Sequence, residues 1–152
     1  MEQAKDFKDV TIVLAEDDDG HAELVIETLK EAGIWNEIVR LRDGDEALAF
    51  FFGAREREPR YEPGRAYLLL LDIRMPRVNG VQVLDRIKND EHLQHMPVIM
   101  LTTTDDPREV ERCYQLGCNN YITKPVAFPA FTEALRRLGL FLLIMKVPRL
   151  KT

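Results

Sequence analysis
The chain has 152 residues, 45% of them hydrophobic, enough for one domain with its own core and no disulfide frame. Twenty-one Lys and Arg against 26 Asp and Glu leave a net charge of -5, which argues against non-specific nucleic-acid binding. The opening MEQAKDFKDV has no apolar signal region, and the longest apolar run, LFLLIM (140–145), falls far below the roughly 20 residues of a membrane span, so a cytoplasmic protein is expected.

In chain order, VTIVLA (10–15) reads as a buried strand and runs into an acidic cluster, Glu16, Asp17, Asp18 and Asp19. Ala22, Val25, Ile26 and Leu29 then repeat at i, i+3, i+4 and i+7, the stripe of a helix. Trp35 follows in the turn, where core packing is expected, and EIVRL (37–41) is the second strand. DGDEALAFFFG (43–53) has capping chemistry at its start and Gly at its end, hence a second helix. AREREPRYEPGR (54–65) is a polar loop, longer than most such connections, and reads as a solvated insertion. YLLLL (67–71) is the third strand and stops at Asp72; VQVLDRIKND (81–90) is the third helix.

PVIML (97–101) is the fourth strand and leads to Thr102, Thr103 and Thr104. Val110, Cys113, Tyr114 and Gly117 mark the fourth helix, closed by its Gly. Cys113 and Cys118 fit no metal pattern and are read as reduced thiols. NYIT (120–123), the fifth strand, ends at Lys124, and Phe128, Phe131, Leu135 and Leu138 form the last helical stripe. The histidines His21, His92 and His95 read as surface or capping residues. The six apolar residues from Leu140 to Met145 are too many for one helix stripe, so some must face another surface.

Five strands alternating with helices imply a parallel sheet covered on both faces, because strands buried on both sides need no polar positions. Ligands of such sheets bind at the carboxyl ends of the strands. There the sequence gathers Glu16 and Asp17, Asp72, Thr102 and Lys124. Carboxylates about 4 Å apart repel by about 4 kcal/mol at an effective dielectric near 20. A hard divalent cation relieves that repulsion, and oxygen ligands suit Mg²⁺. A carboxylate beside Mg²⁺ and an ammonium is suited to attack a phosphoryl group. The alternative, Asp17 and Asp18 serving only as helix caps, leaves Asp72, the Thr and the Lys unexplained.

The ordered set ED at 16–17, LLLLDIRMP with NG around Asp72, LTT with Thr102, and YITKP with Lys124 and Pro125 resembles the receiver domain of two-component response regulators over residues 9 to 138. The resemblance implies a flavodoxin-like, doubly wound α/β fold with strand order 2-1-3-4-5, helices on both faces, and an apolar C-terminal extension at 139–152. It implies that Asp72 is the phosphoacceptor, taking a phosphoryl group from a sensor histidine kinase. Glu16, Asp17, Asp72 and the backbone carbonyl of Arg74 would hold Mg²⁺, Thr102 would bond the phosphoryl group and Lys124 would pair with it. Thr102 and Tyr121 would form the switch, and the Lys124–Pro125 bond would be cis. An Asp17–Asp18 pair in place of Glu16–Asp17 needs the first strand one residue longer.

Similarity to the small regulators that partner bacterial phytochromes rests on LTTTDD, YITKPV, the long loop and the apolar tail. No DNA-binding or enzymatic output domain is expected after Leu138. Activity beyond self-phosphotransfer and slow autodephosphorylation is not expected, and hydrolysis is expected to be slow because neither Arg74 nor Thr104 is a carboxylate or amide suited to orient a hydrolytic water. A homodimer through the fourth and fifth helices, the fifth strand and the tail is expected instead. Two other readings are a phosphorylation-independent binding scaffold and a Mg²⁺-dependent phosphatase with an Asp nucleophile. The first would be expected to lack the Asp or the Lys; the second wants an acid two residues past the nucleophile, where Arg74 stands.

Overall fold
The computed structural model describes residues 4–103, 106–124 and 128–150. Its strands are β1 (Ala4–Asp6), β2 (Thr11–Ala15), β3 (Ile38–Leu41), β4 (Tyr67–Leu71), β5 (Val98–Thr102), β6 (Asn120–Thr123) and β7 (Lys146–Pro148). Its helices are α1 (Asp19–Glu31), α2 (Gly44–Phe52), α3 (Gly80–Lys88), α4 (Pro107–Leu116) and α5 (Phe128–Leu142), with one 3-10 turn at Phe7–Asp9. Five strands form a parallel sheet ordered β3-β2-β4-β5-β6. Numbered within that sheet alone, this is the expected 2-1-3-4-5 order.

The apolar runs are continuous because both faces of the sheet are covered. Successive side chains of a strand point to opposite faces. Ile12 and Leu14 therefore pack with Val25 and Leu29 of α1 and Phe131, Leu135 and Leu138 of α5. Val13 and Ala15 pack with Phe51 of α2, Leu84 and Ile87 of α3 and Cys113 of α4. All five residues of β2, β4 and β5 are buried, whereas the edge strand β6 is only half-buried throughout. Helix starts are set by side-chain acceptors: Asp18, Asp43, Asn79 and Asp106 each accept from a backbone N–H of the following turn. Gly117 ends α4 in the left-handed conformation at φ 106°.

Three expectations need correction. Trp35 is not core but 76% exposed, because the turn after α1 turns Ile34 inward instead. The loop 54–65 is tied down rather than simply solvated. Tyr61 packs on the core, Arg60 lies 5.2 Å over the Phe50 ring, and Gly64 N–H and Leu150 N–H bond Leu150 and Arg65 carbonyls across to the tail. The tail is split. Helical spacing from Phe131 through Leu135 and Leu138 carries Leu142 into the core, fully buried, while Leu140, Phe141, Leu143 and Ile144 stay exposed. Beyond the helix, β7 pairs antiparallel with β1, Ala4 opposite Pro148, which places Val147 in one core layer; Leu150 reaches the other. No helix among the described residues is long and apolar enough to cross a membrane.

Candidate functional site
Every strand end at the carboxyl edge of the sheet delivers a polar group. Glu16 follows β2 directly, with its N–H bonded to the Leu41 carbonyl at 3.0 Å. Asp72 follows β4, its N–H bonded to the Ala15 carbonyl at 3.0 Å, so neighbouring strands fix both backbones. Thr102 is the last residue of β5, and its carbonyl accepts from Lys124 N–H at 2.6 Å just past β6. Gly80 lets α3 close over this edge: a Cβ there would lie 2.1 Å from the Asp72 carbonyl oxygen, so no side chain fits without displacing the backbone that carries the carboxylate.

Glu16, Asp72, Thr102 and Lys124 are all buried, while Asp17, like Asp18 and Asp19, is exposed. Carboxylate oxygens of Glu16, Asp17 and Asp72 lie within 4.8 Å of one another. Lys124 Nζ is paired with the Glu16 carboxylate and sits 3.6 Å from Asp72 Oδ2. The Thr102 hydroxyl is buried with no partner among the described residues, and an unmet buried hydroxyl is costly unless something else supplies its bond. Arg74 has an exposed side chain, and its N–H reaches Asp72 Oδ1 at 3.4 Å. Tyr121 is half-buried and packs on the α2–α3–α4 core layer. Thr104 and the Lys124–Pro125 bond lie outside the described residues.

Register at the acidic run follows from strand length. β2 stops at Ala15, Glu16 turns inward, and Asp18 is spent on capping α1 by accepting from His21 N–H at 2.9 Å. That bond holds the Asp18 carboxyl below its usual range. Burial pushes the Glu16 carboxyl up from 4.5 to about 7; the Lys124 ammonium opposes the shift, and the like charge of Asp72 adds to it. The folded form thus binds this proton more tightly than the unfolded chain does. Stability contributed by Glu16 therefore falls as pH rises from 4.5 to about 7. Denaturant titrations in chelator should show this decline in the wild type and not in Glu16→Gln; parallel pH curves for the two would contradict it.

Two neighbours escaped the sequence reading. His21 Nδ1 lies 3.4 Å from Lys124 Nζ and 3.8 Å from Glu16, and its ring meets Phe131 of α5 edge-on. Its place one turn into α1, three residues past the capping Asp18, was the available signal. Arg40 of β3 bonds the Glu16 carbonyl and the Asp19 carboxylate. It was visible only as a cation inside an apolar strand.

Donors and acceptors of this kind suit a hard cation and a tetrahedral oxyanion: three carboxylates, an ammonium beside two of them, and a buried hydroxyl without a partner among the described residues. Comparison with known proteins agrees in kind. A model of the response regulator receiver domain matches residues 12–136. The chain is 35% identical over 126 residues to the polar-differentiation response regulator DivK of Brucella ovis, covering 83% of this chain and 93% of that one. A crystal structure of a response regulator receiver domain from Rhodospirillum rubrum is 46% identical, with TM-score 0.88 over 93% of this chain and 99% of that one. The phosphorylated cyanobacterial phytochrome response regulator RcpA is 32% identical, with TM-score 0.77 over 88% and 93% of the two chains.

Proposed function
The chain belongs to the response regulator receiver family of two-component signalling, and from that premise we propose that it receives a phosphoryl group on Asp72 from a sensor histidine kinase. The observation that carries this reading is the juxtaposition at Asp72: the Lys124 ammonium 3.6 Å away, Glu16 and Asp17 oxygens within 4.8 Å, and at the next strand end a buried Thr102 hydroxyl without a partner among the described residues. An Asp72 carboxylate oxygen forms a bond to phosphorus as the bond from phosphorus to the kinase imidazole nitrogen breaks. The imidazole takes up a proton and leaves neutral. Lys124 pairs with the incoming oxygens, and the Thr102 hydroxyl donates to one of them.

The carboxylate set fits Mg²⁺, which Glu16, Asp17, Asp72 and the Arg74 carbonyl would hold. Bound there, the ion supplies positive charge that offsets the phosphoryl oxygens. Drawing Thr102 toward the phosphoryl group frees space for Tyr121, and the surface of α4, β6 and α5 shifts between two packings. Neither Arg74 nor Thr104 is a carboxylate or amide suited to orient an attacking water, so hydrolysis of the acyl phosphate is slow. Likeness to RcpA supports a phytochrome-type kinase as the donor, in the cytoplasm, and exposed Leu140, Phe141, Leu143 and Ile144 support a homodimer. Incubation with acetyl phosphate and Mg²⁺, followed by intact mass, tests the core of the proposal. A gain of one phosphoryl group that requires Mg²⁺ is expected; an unchanged mass would refute it.

A further inference from the structure
We infer that Arg40 is the positioning residue of the cation site, acting through the loop that carries Glu16 and Asp17 rather than by touching the ion. This rests on the metal-assisted reading above and deepens it. Arg40 stands on β3 directly beside Leu14 of β2, so its side chain reaches the loop that leaves β2. Its guanidinium spends three donors there: Nε and Nη2 on the Glu16 carbonyl at 3.0 and 2.6 Å, and Nη1 on Asp19 Oδ1 at 2.8 Å. The Arg40 side chain is 17% exposed, so its two charge-assisted bonds to the Glu16 carbonyl are partly sheltered, while the bond to the exposed Asp19 carboxylate faces solvent.

The two anchors bracket Asp17. One is the carbonyl of the residue before it, the other the first residue of α1. Asp17 itself is exposed, so the course of the loop backbone decides where its carboxylate lies relative to Asp72. The Arg40 clamp fixes the segment on both sides and so fixes where Asp17 points. Arg42 also bonds Asp19 Oδ1, at 2.7 Å, but it does not reach the Glu16 carbonyl and its side chain is mostly exposed. It marks the difference between a nearby charge and a clamp.

Charge and geometry make opposite forecasts here. Removing a cation near a divalent-ion site should by itself tighten Mg²⁺. Loosening the loop should weaken it, and loss of such outer partners typically costs about 10- to 100-fold in metal affinity. Calorimetric titration of Mg²⁺ should therefore find Arg40→Met about 10-fold weaker than wild type, Arg40→Lys not restored despite keeping the charge, and Arg42→Met within about 3-fold. Hydrogen exchange across residues 16–19 should quicken in Arg40→Met and not in Arg42→Met, with global unfolding midpoints retained. Equal or tighter Mg²⁺ binding by Arg40→Met, rescue by Lys, or unchanged exchange in the loop each overturns the role of Arg40. Failure of the wild type to bind Mg²⁺ would instead defeat the metal-assisted reading, and the exchange experiment would still decide whether Arg40 holds the loop.

Discussion

Asp72→Asn should reduce phosphoryl incorporation from acetyl phosphate to below about a hundredth of wild type while leaving the fold intact. The amide is nearly isosteric with the carboxylate and keeps an oxygen to accept from the Arg74 N–H, but it cannot form the acyl phosphate. Its effect on stability should be small, within about 1 kcal/mol. The Asp72–Lys124 attraction disappears, and so does the repulsion of Asp72 on Glu16, while Lys124 keeps its pairing with Glu16. Because the like charge is one cause of the raised Glu16 carboxyl, that carboxyl should fall back toward its ordinary range in the variant, yet stay above 4.5 through burial. Intact mass reads the incorporation and circular dichroism the fold. Comparable labelling in a folded Asn variant would move the acceptor elsewhere.

The other large effect separates two residues two positions apart. Leu142→Glu should unfold the protein, because Leu142, the last residue of α5, is fully buried in the core layer that α1 and α5 share. Losing the packed side chain and burying an unpaired carboxylate together cost about 4 kcal/mol or more, a large share of a domain's stability. Ile144→Glu, at a position 78% exposed, should leave the melting midpoint within about 2 °C and weaken self-association at least about 10-fold. Sequence alone placed both on the dimer interface. Thermal denaturation and analytical ultracentrifugation give the answer. A wild type that stays monomeric at about tens of micromolar, with or without beryllium fluoride, would remove the dimer from the proposal. A stable Leu142→Glu would remove Leu142 from the core.

The central sheet was legible because its strands are buried on both faces, which writes burial as an unbroken apolar run ending at a charge. YLLLL followed by Asp72 is the plainest case; VIML repeats the apolar run but ends at the polar Thr102, and the half-buried edge strand NYIT shows it only weakly before Lys124. What stayed hidden depends on partners distant in the chain. Arg40 gains its meaning only from the register that sets it beside Leu14. His21 looks like a surface residue until Lys124 and Phe131 arrive from the far end of the chain. Trp35 was misread because apolar character alone says nothing about which of two adjacent residues, Ile34 or Trp35, a tight turn buries. AKD and KVP are too short and too polar to announce strands, and they become β1 and β7 only by finding each other.

That last pairing carries a consequence for how the molecule comes into being. Ala4 lies opposite Pro148, so a ribosome must release the chain as far as β7 before β1 has this partner. Val147 and Leu150 then complete the two apolar layers from opposite sides of the sheet, and the Leu150 backbone ties down the loop between α2 and β4. Pairing strands so far apart in the chain is slow relative to local helix formation. The five-stranded sheet contains neither β1 nor β7, so it can pair before that strand pair closes. A nascent chain stalled before residue 146 would present both layers unsealed, and chaperones that read exposed apolar surface would meet this protein chiefly in that interval.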